Sequence, residues 1–121
     1  MRVPICLGGV LLLSVLPVNG GEHLRMAVSP EHSFAPSTLH VRVSLEPNDQ
    51  NRRLTVIADS ADFYRSSEVQ LDGEQAPKTI TIEFRGLPGG SYQVYSVVQD
   101  QSGHTRASAS QDVNVISPFG Q

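Results

Sequence analysis

The chain has 121 residues, of which 39% are hydrophobic and 17% are charged, and this composition is typical of one globular domain. Nine Lys and Arg residues stand against twelve Asp and Glu residues, which gives a net charge of -3. Because binding to phosphate backbones needs clustered positive charge and Lys78 is the only lysine, the composition excludes a nucleic-acid partner.

The first twenty residues have the layout of a secretory signal peptide. Arg2 supplies a positive start, and a mainly apolar stretch follows from Val3 to Val18. This stretch is shorter than the roughly 20 apolar residues of a membrane-spanning helix, and small residues suited to cleavage follow it. We therefore expect a signal peptide over 1–20 and a secreted or periplasmic domain over 21–121, with no membrane span after cleavage. An uncleaved membrane anchor is the alternative.

Cleavage after Gly20 would remove Cys6, the only cysteine in the chain. Small exported domains often depend on disulfide bonds, so a cysteine-free domain has to rely on its hydrophobic core. A domain of about 100 residues is long enough to form such a core. The absence of disulfides favours a bacterial envelope or secreted protein.

The rest of the sequence alternates apolar and polar residues with a period of two, which is typical of β-strands. No window has the spacing of an amphipathic helix. The segment 58–70 is the least regular part and is compatible with either an edge strand or a long loop. In chain order, the predicted strands cover 24–28, 39–45, 54–57, 80–84, 92–98 and 113–115.

Turn-forming residues separate the predicted strands. Asp72-Gly73 and Pro88-Gly89-Gly90 are examples, in which proline sets φ and glycine gives access to positive φ. About seven strands in about 100 residues predict an all-β fold, an antiparallel two-sheet sandwich that forms one domain.

Three motifs in the C-terminal half add detail to this prediction. They are Leu87-Pro88-Gly89-Gly90-Ser91-Tyr92-Gln93-Val94, then Val97-Val98-Gln99-Asp100-Gln101-Ser102-Gly103, then Val113-Asn114-Val115. These motifs resemble the immunoglobulin-like and fibronectin type III-like modules of exported bacterial proteins. The resemblance implies a tyrosine corner, in which the Tyr92 ring is buried and its hydroxyl bonds to upstream backbone. It also implies a hairpin that runs from Asp100 to Gly103, with Gly103 at positive φ.

No residue pattern in the chain indicates catalysis. Ser91 follows a glycine but lacks the second glycine and the helix of a nucleophile elbow. The acidic residues are scattered through turns, and the loops with Asp59, Asp62 and Asp100 show no spaced calcium-binding motif. We therefore expect no enzymatic activity and no catalytic residues.

A metal site is conceivable only at the mature N-terminus. If cleavage follows Gly20, the chain begins Gly21-Glu22-His23, and its amine, two amides and imidazole can hold Cu(II) or Ni(II) in a square of nitrogens. We expect no cofactor, with copper as the alternative. The other histidines lack ligand spacing and are expected to be exposed and unliganded: His32, His40 and His104.

Aromatic residues provide a candidate binding surface, formed by Phe63, Tyr64, Arg65 and Tyr95. The alternative is that Phe63 and Tyr64 close one end of the sandwich and Tyr95 covers its neighbours. The sequence thus predicts a non-catalytic exported binding module that recognises a protein or carbohydrate of the cell envelope. A periplasmic Cu(II)- or Ni(II)-binding protein is the alternative function.

Overall fold

The structure is a computed structural model that describes residues 24–118. Several predictions concern residues outside this range: the signal peptide over 1–20, the position of Cys6, and the metal site at Gly21, Glu22 and His23. Within residues 24–118, no helix is both long and apolar enough to cross a membrane.

Eight β-strands and one short 3-10 turn, Gly73–Gln75, form the secondary structure of residues 24–118. In chain order the strands are β1 (Leu24–Ser29), β2 (His32–Phe34), β3 (Ser37–Leu45), β4 (Arg53–Asp59), β5 (Tyr64–Gln70), β6 (Thr79–Leu87), β7 (Gly90–Gln99) and β8 (Thr105–Ile116).

The strands form two sheets, one with the order β1-β3-β6 and one with the order β2-β8-β7-β4-β5. All neighbouring strands are antiparallel except β2 and β8, which are parallel. The predicted all-β, two-sheet fold is confirmed, but the expectation of purely antiparallel pairing is wrong at this one pair. The reason is that the chain crosses from one sheet to the other after β1, and β2 then lies beside β8 in the same direction.

The hydrophobic core lies between the two sheets, and the predicted alternation places its side chains there. On β3, Leu39, Val41 and Val43 are fully buried, and the polar residues between them face outward. Leu54 and Val56 of β4 are fully buried from the opposite sheet. Removing this apolar surface from water is the main stabilising contribution to a domain of this size.

Two strands are longer or more regular than the sequence pattern predicted. The irregular segment 58–70 contains an edge strand, β5, which pairs with β4 from Tyr64 to Gln70. β8 has 12 residues, although only 113–115 were predicted as strand. Its first half carries Thr, Arg, Ala and Ser in place of large apolar residues, so the sequence shows no large apolar side chains alternating there, and the strand depends on pairing with β7.

The turn before β7 and the hairpin after it have the local geometry expected from their motifs. The Tyr92 ring is 2% exposed, and its hydroxyl donates to the Pro88 carbonyl at 2.7 Å. The Asp100 carboxylate accepts the backbone N–H groups of Ser102 and His104. Gly103 has a φ of 89°, which favours glycine at this position. Two further residues belong to the corner motif: Leu87, which is buried, and Gly89, which is exposed.

Candidate functional site

The residues of the predicted binding surface lie in two different environments. Tyr64 and Tyr95 are on the outer face of the five-stranded sheet, where Tyr64 is 60% exposed and Tyr95 is half-buried. Phe63 packs against the core and meets the Tyr92 ring edge to face, with 6.3 Å between ring centroids. Arg65 lies 5.2 Å above the Phe63 ring.

Arg65 also donates to the Arg85 carbonyl, and this bond joins the β5 edge of one sheet to β6 of the other. Phe63 therefore packs against the core, with the Arg65 guanidinium over its ring. Only Tyr64 and Tyr95 share a solvent-facing surface.

The three described histidines lie far apart in the fold. His40 is on the outer face of the three-stranded sheet, with its Nδ1 3.5 Å from Glu83 Oε2. His104 is in the hairpin between β7 and β8, and His32 pairs with Asn114 near the other end of β8, about 30 Å away at the rise of an extended strand. All three are exposed, as predicted.

A positively charged surface covers the outer face of the three-stranded sheet; we call it the basic face. It presents Arg25, Arg42 and Arg85 together with His40, and Glu83 is the acidic residue among them. Glu83 Oε1 accepts a hydrogen bond from Arg85 Nε at 2.6 Å. That bond, aided by the charges of Arg85 and His40, lowers the pKa of Glu83. Three arginines against one carboxylate give a local positive charge on a chain whose net charge is -3.

An open groove of about 620 Å³ lies on the outer face of the five-stranded sheet. We call it the polar groove, and the side chains that matter for its chemistry are Asp59, Ser60, Ser91, Gln93, Asp112 and Asn114. They come from β4, the loop after it, β7 and β8, which the sheet places side by side.

The polar groove is not visible in the sequence because its residues are far apart in the chain. Asp59 lies opposite Gln93, and Gln93 lies opposite Asp112, so the three side chains form one row across three strands. The only sequence signal is that each residue is polar and sits next to a buried apolar one. That signal also describes any solvent-facing strand position.

Comparisons with known proteins find no matching protein family and no matching curated protein. They do find solved structures with a similar fold. The superoxide reductase (neelaredoxin) from Ignicoccus hospitalis matches with a TM-score of 0.62 and 18% sequence identity, covering 78% of this chain and 81% of that chain. A variant of that reductase matches with the same TM-score at 17% identity, covering 78% of this chain and 80% of that chain.

These matches correct the resemblance that the C-terminal motifs indicated. The motifs that contain Tyr92 and Gly103 predicted an immunoglobulin-like or fibronectin type III-like module, whereas the matching structures are superoxide reductases. The physical reason is that a tyrosine corner and a tight hairpin are local solutions for connecting strands. They do not specify one family, and at 18% identity the new likeness shows the fold alone.

The functional predictions are corrected by the same finding. A non-catalytic binding module, the absence of enzymatic activity and the absence of a cofactor were expected, but the matching structures are redox enzymes. The alternative of copper binding is not supported either. The absence of a local catalytic motif does not indicate the absence of activity, because the functional residues of a two-sheet domain come from strands and loops far apart in the chain.

Superoxide reductases use iron, and the described residues do not fit such a centre. Within residues 24–118, no three His, Cys, Asp or Glu side chains come together as metal ligands. His32, His40 and His104 occupy separate regions, and Cys6 lies outside the described part of the chain. We assign no reaction step to iron in this chain.

Proposed function

We propose that the chain takes part in the redox chemistry of superoxide, as a small domain with the fold of superoxide reductases. The observation that carries this proposal is the match to a solved superoxide reductase over 78% of the chain, with a TM-score of 0.62. The proposal replaces that of a binding module without catalytic activity.

The charge distribution supports an anionic substrate. Superoxide carries one negative charge, and a positive surface raises the rate at which small anions meet a protein. Arg25 and Arg42 on the basic face are exposed and would attract the anion. No proton or electron transfer is assigned to these side chains, which act by attraction alone.

The test is the rate of superoxide decay after pulse radiolysis in the presence of the purified protein. The protein is measured as isolated and after incubation with Fe(II) and removal of unbound metal. In the sample treated with Fe(II), which is the added one-electron reductant, we expect superoxide to decay in proportion to protein concentration, at a rate that falls as ionic strength rises. Arg42→Ala should slow the reaction about twofold or more, because it removes one positive charge from the basic face.

Arg53→Ala is the matched control for Arg42→Ala. Arg53 is on the five-stranded sheet and pairs with Glu68 at 3.1 Å, so its loss leaves the basic face intact. Decay no faster than in an equal concentration of serum albumin, with and without Fe(II), would contradict the proposal. If Arg42→Ala and Arg53→Ala slow superoxide decay equally, the basic face does not attract the anion.

Export belongs to the same proposal. Residues 1–20 are proposed as a signal peptide, so the exported protein should begin at Gly21. Mass spectrometry of the protein recovered from the periplasm or medium gives the mature terminus directly. A mass that includes the first twenty residues would show that the segment is retained.

A further inference from the structure

The polar groove continues into a longer row of outward-facing side chains. Tyr64 on β5 lies opposite Asp59 on β4, Asp59 lies opposite Gln93 on β7, and Gln93 lies opposite Asp112 on β8. Neighbouring strands are about 4.8 Å apart, so the row is about 14 Å long. A row of this length suits an extended ligand better than a single small ion.

Two aromatic rings flank this row. Tyr64 forms one end of it and is 60% exposed. Tyr95 lies two residues along β7 from Gln93, on the same face, and is partly exposed. Strand spacing places the two tyrosines about 12 Å apart. Exposed tyrosines offer flat apolar surface together with a hydroxyl group, which suits the mixed surface of a sugar ring.

The polar side chains of the row are available to a ligand. Within residues 24–118, the side chains of Asp59, Gln93 and Asp112 make no hydrogen bond or ion pair with the protein. Carboxylates accept hydrogen bonds and the amide of Gln93 both donates and accepts them. Sugar hydroxyls also do both, so they can satisfy all three side chains at once.

The charge of the groove restricts the kind of sugar. Its two charged groups, Asp59 and Asp112, are both carboxylates, so an acidic sugar would be repelled. A hydrogen bond from Ser91 Oγ to Asn114 Oδ1, at 3.1 Å, fixes two further polar groups beside the row.

We propose that the polar groove, with Tyr64 and Tyr95, binds an oligosaccharide that carries no acidic groups. The tyrosines stack on sugar rings, and Asp59, Gln93 and Asp112 bind their hydroxyls. The site is on the opposite sheet from the basic face, so it is independent of the proposed redox role.

The test is a titration of the amide resonances of the purified protein by NMR. Three probes are used at up to about 10 mM, which detects complexes weaker than 1 mM: tetramers of N-acetylglucosamine, of glucosamine and of galacturonic acid. We expect shifts at Asp59, Gln93 and Asp112 with at least one of the first two tetramers. The galacturonic acid tetramer should cause none.

Tyr64→Ala should weaken binding about tenfold or more, because it removes a ring from the contact surface. The matched control is Phe34→Ala, since Phe34 is 66% exposed but lies outside the groove, on β2. Gln93→Ala is a second test of the binding site and should also weaken binding. Gln93 is exposed, so the core does not need its side chain.

Several results would overturn the proposal. They are no response to any tetramer, shifts confined to the three-stranded sheet, stronger binding of the galacturonic acid tetramer, or equal affinity of Tyr64→Ala and the unmodified protein. A response to calcium chloride with none to the sugars would identify a cation site in place of a carbohydrate site.

Discussion

Tyr92 connects the loop before β7 to the core. Its ring is almost completely buried and its hydroxyl donates to the Pro88 carbonyl at 2.7 Å. Burial raises the pKa of Tyr92 above its usual value of 10.0, and interactions with Ser60 and Arg65 oppose this shift. The neutral hydroxyl is therefore the form that the fold favours.

Tyr92→Phe should lower the free energy of unfolding by about 1 kcal/mol, because one hydrogen bond is lost while the ring stays in place. Since the folded pKa of Tyr92 is raised, its contribution is complete below pH 10.0 and is lost as the pH rises through the folded pKa. Chemical denaturation at neutral and alkaline pH should show a smaller alkaline loss in the variant. Tyr64→Phe, at an exposed position, is the control, and an equal effect of both substitutions would contradict the prediction.

Ser96 has a buried hydroxyl without a partner. The residue is fully buried in β7, and within the described residues its Oγ makes no hydrogen bond. Ser96→Ala should therefore raise the free energy of unfolding by about 1 kcal/mol, since the cost of burying an unsatisfied polar group disappears. Urea denaturation measures the change, with exposed Ser66→Ala as the control. A clear loss of stability in Ser96→Ala would show that the hydroxyl has a partner in solution.

At the scale of the elements, one side chain links the two sheets at the β1 edge. Gln111 on β8 accepts the Val28 N–H at Oε1, at 3.2 Å, and donates from Nε2 to the Val28 carbonyl at 3.1 Å. The Gln111 amide thus satisfies the backbone N–H and carbonyl of Val28, which a neighbouring strand would otherwise bind. Val28 itself is 4% exposed, so its backbone groups have little access to water.

Gln111→Ala should lower the free energy of unfolding by about 1–3 kcal/mol, because it leaves two largely buried backbone groups unpaired. Gln70→Ala, at an exposed position of edge strand β5, is the matched control and should change stability little. Hydrogen exchange adds a local measurement, in which the Val28 amide should exchange faster in Gln111→Ala. Unchanged exchange at Val28 would mean that β1 is held to β8 by other contacts.

The strands differ in whether the sequence alone predicts them. β3 and β7 were predicted because large apolar residues alternate along them, and a one-residue shift would expose the whole set. β2 was missed because its three residues have no such pattern and it exists only by pairing with β8. The parallel direction of that pair depends on where the chain crosses between sheets.

At the scale of the whole molecule, two sheets close on a core without help from a disulfide within the chain. The sequence contains one cysteine, so no bond of that kind can form in a single copy. The two outer faces differ in charge: the three-stranded sheet carries the basic face, and the five-stranded sheet carries the groove with Asp59 and Asp112.

The thermal midpoint of the purified domain should be the same with and without dithiothreitol, because no disulfide within the chain contributes to its stability. Differential scanning calorimetry at fixed protein concentration measures it. A lower midpoint in dithiothreitol would reveal a disulfide between two copies through Cys6, and with it a retained N-terminal segment.

The sequence by itself determined that this protein is built from strands, which residues of most strands face the core, and where Tyr92 and Gly103 lie in their turns. These features are local, since a period of two decides which side of a strand is apolar and a few turn residues decide φ. Only the tertiary structure decided which strands are neighbours, and thus which fold the chain shares and that Asp59, Gln93 and Asp112 form one row. Pairing between strands far apart in the chain depends on how the whole core packs, and no short stretch of sequence carries that information.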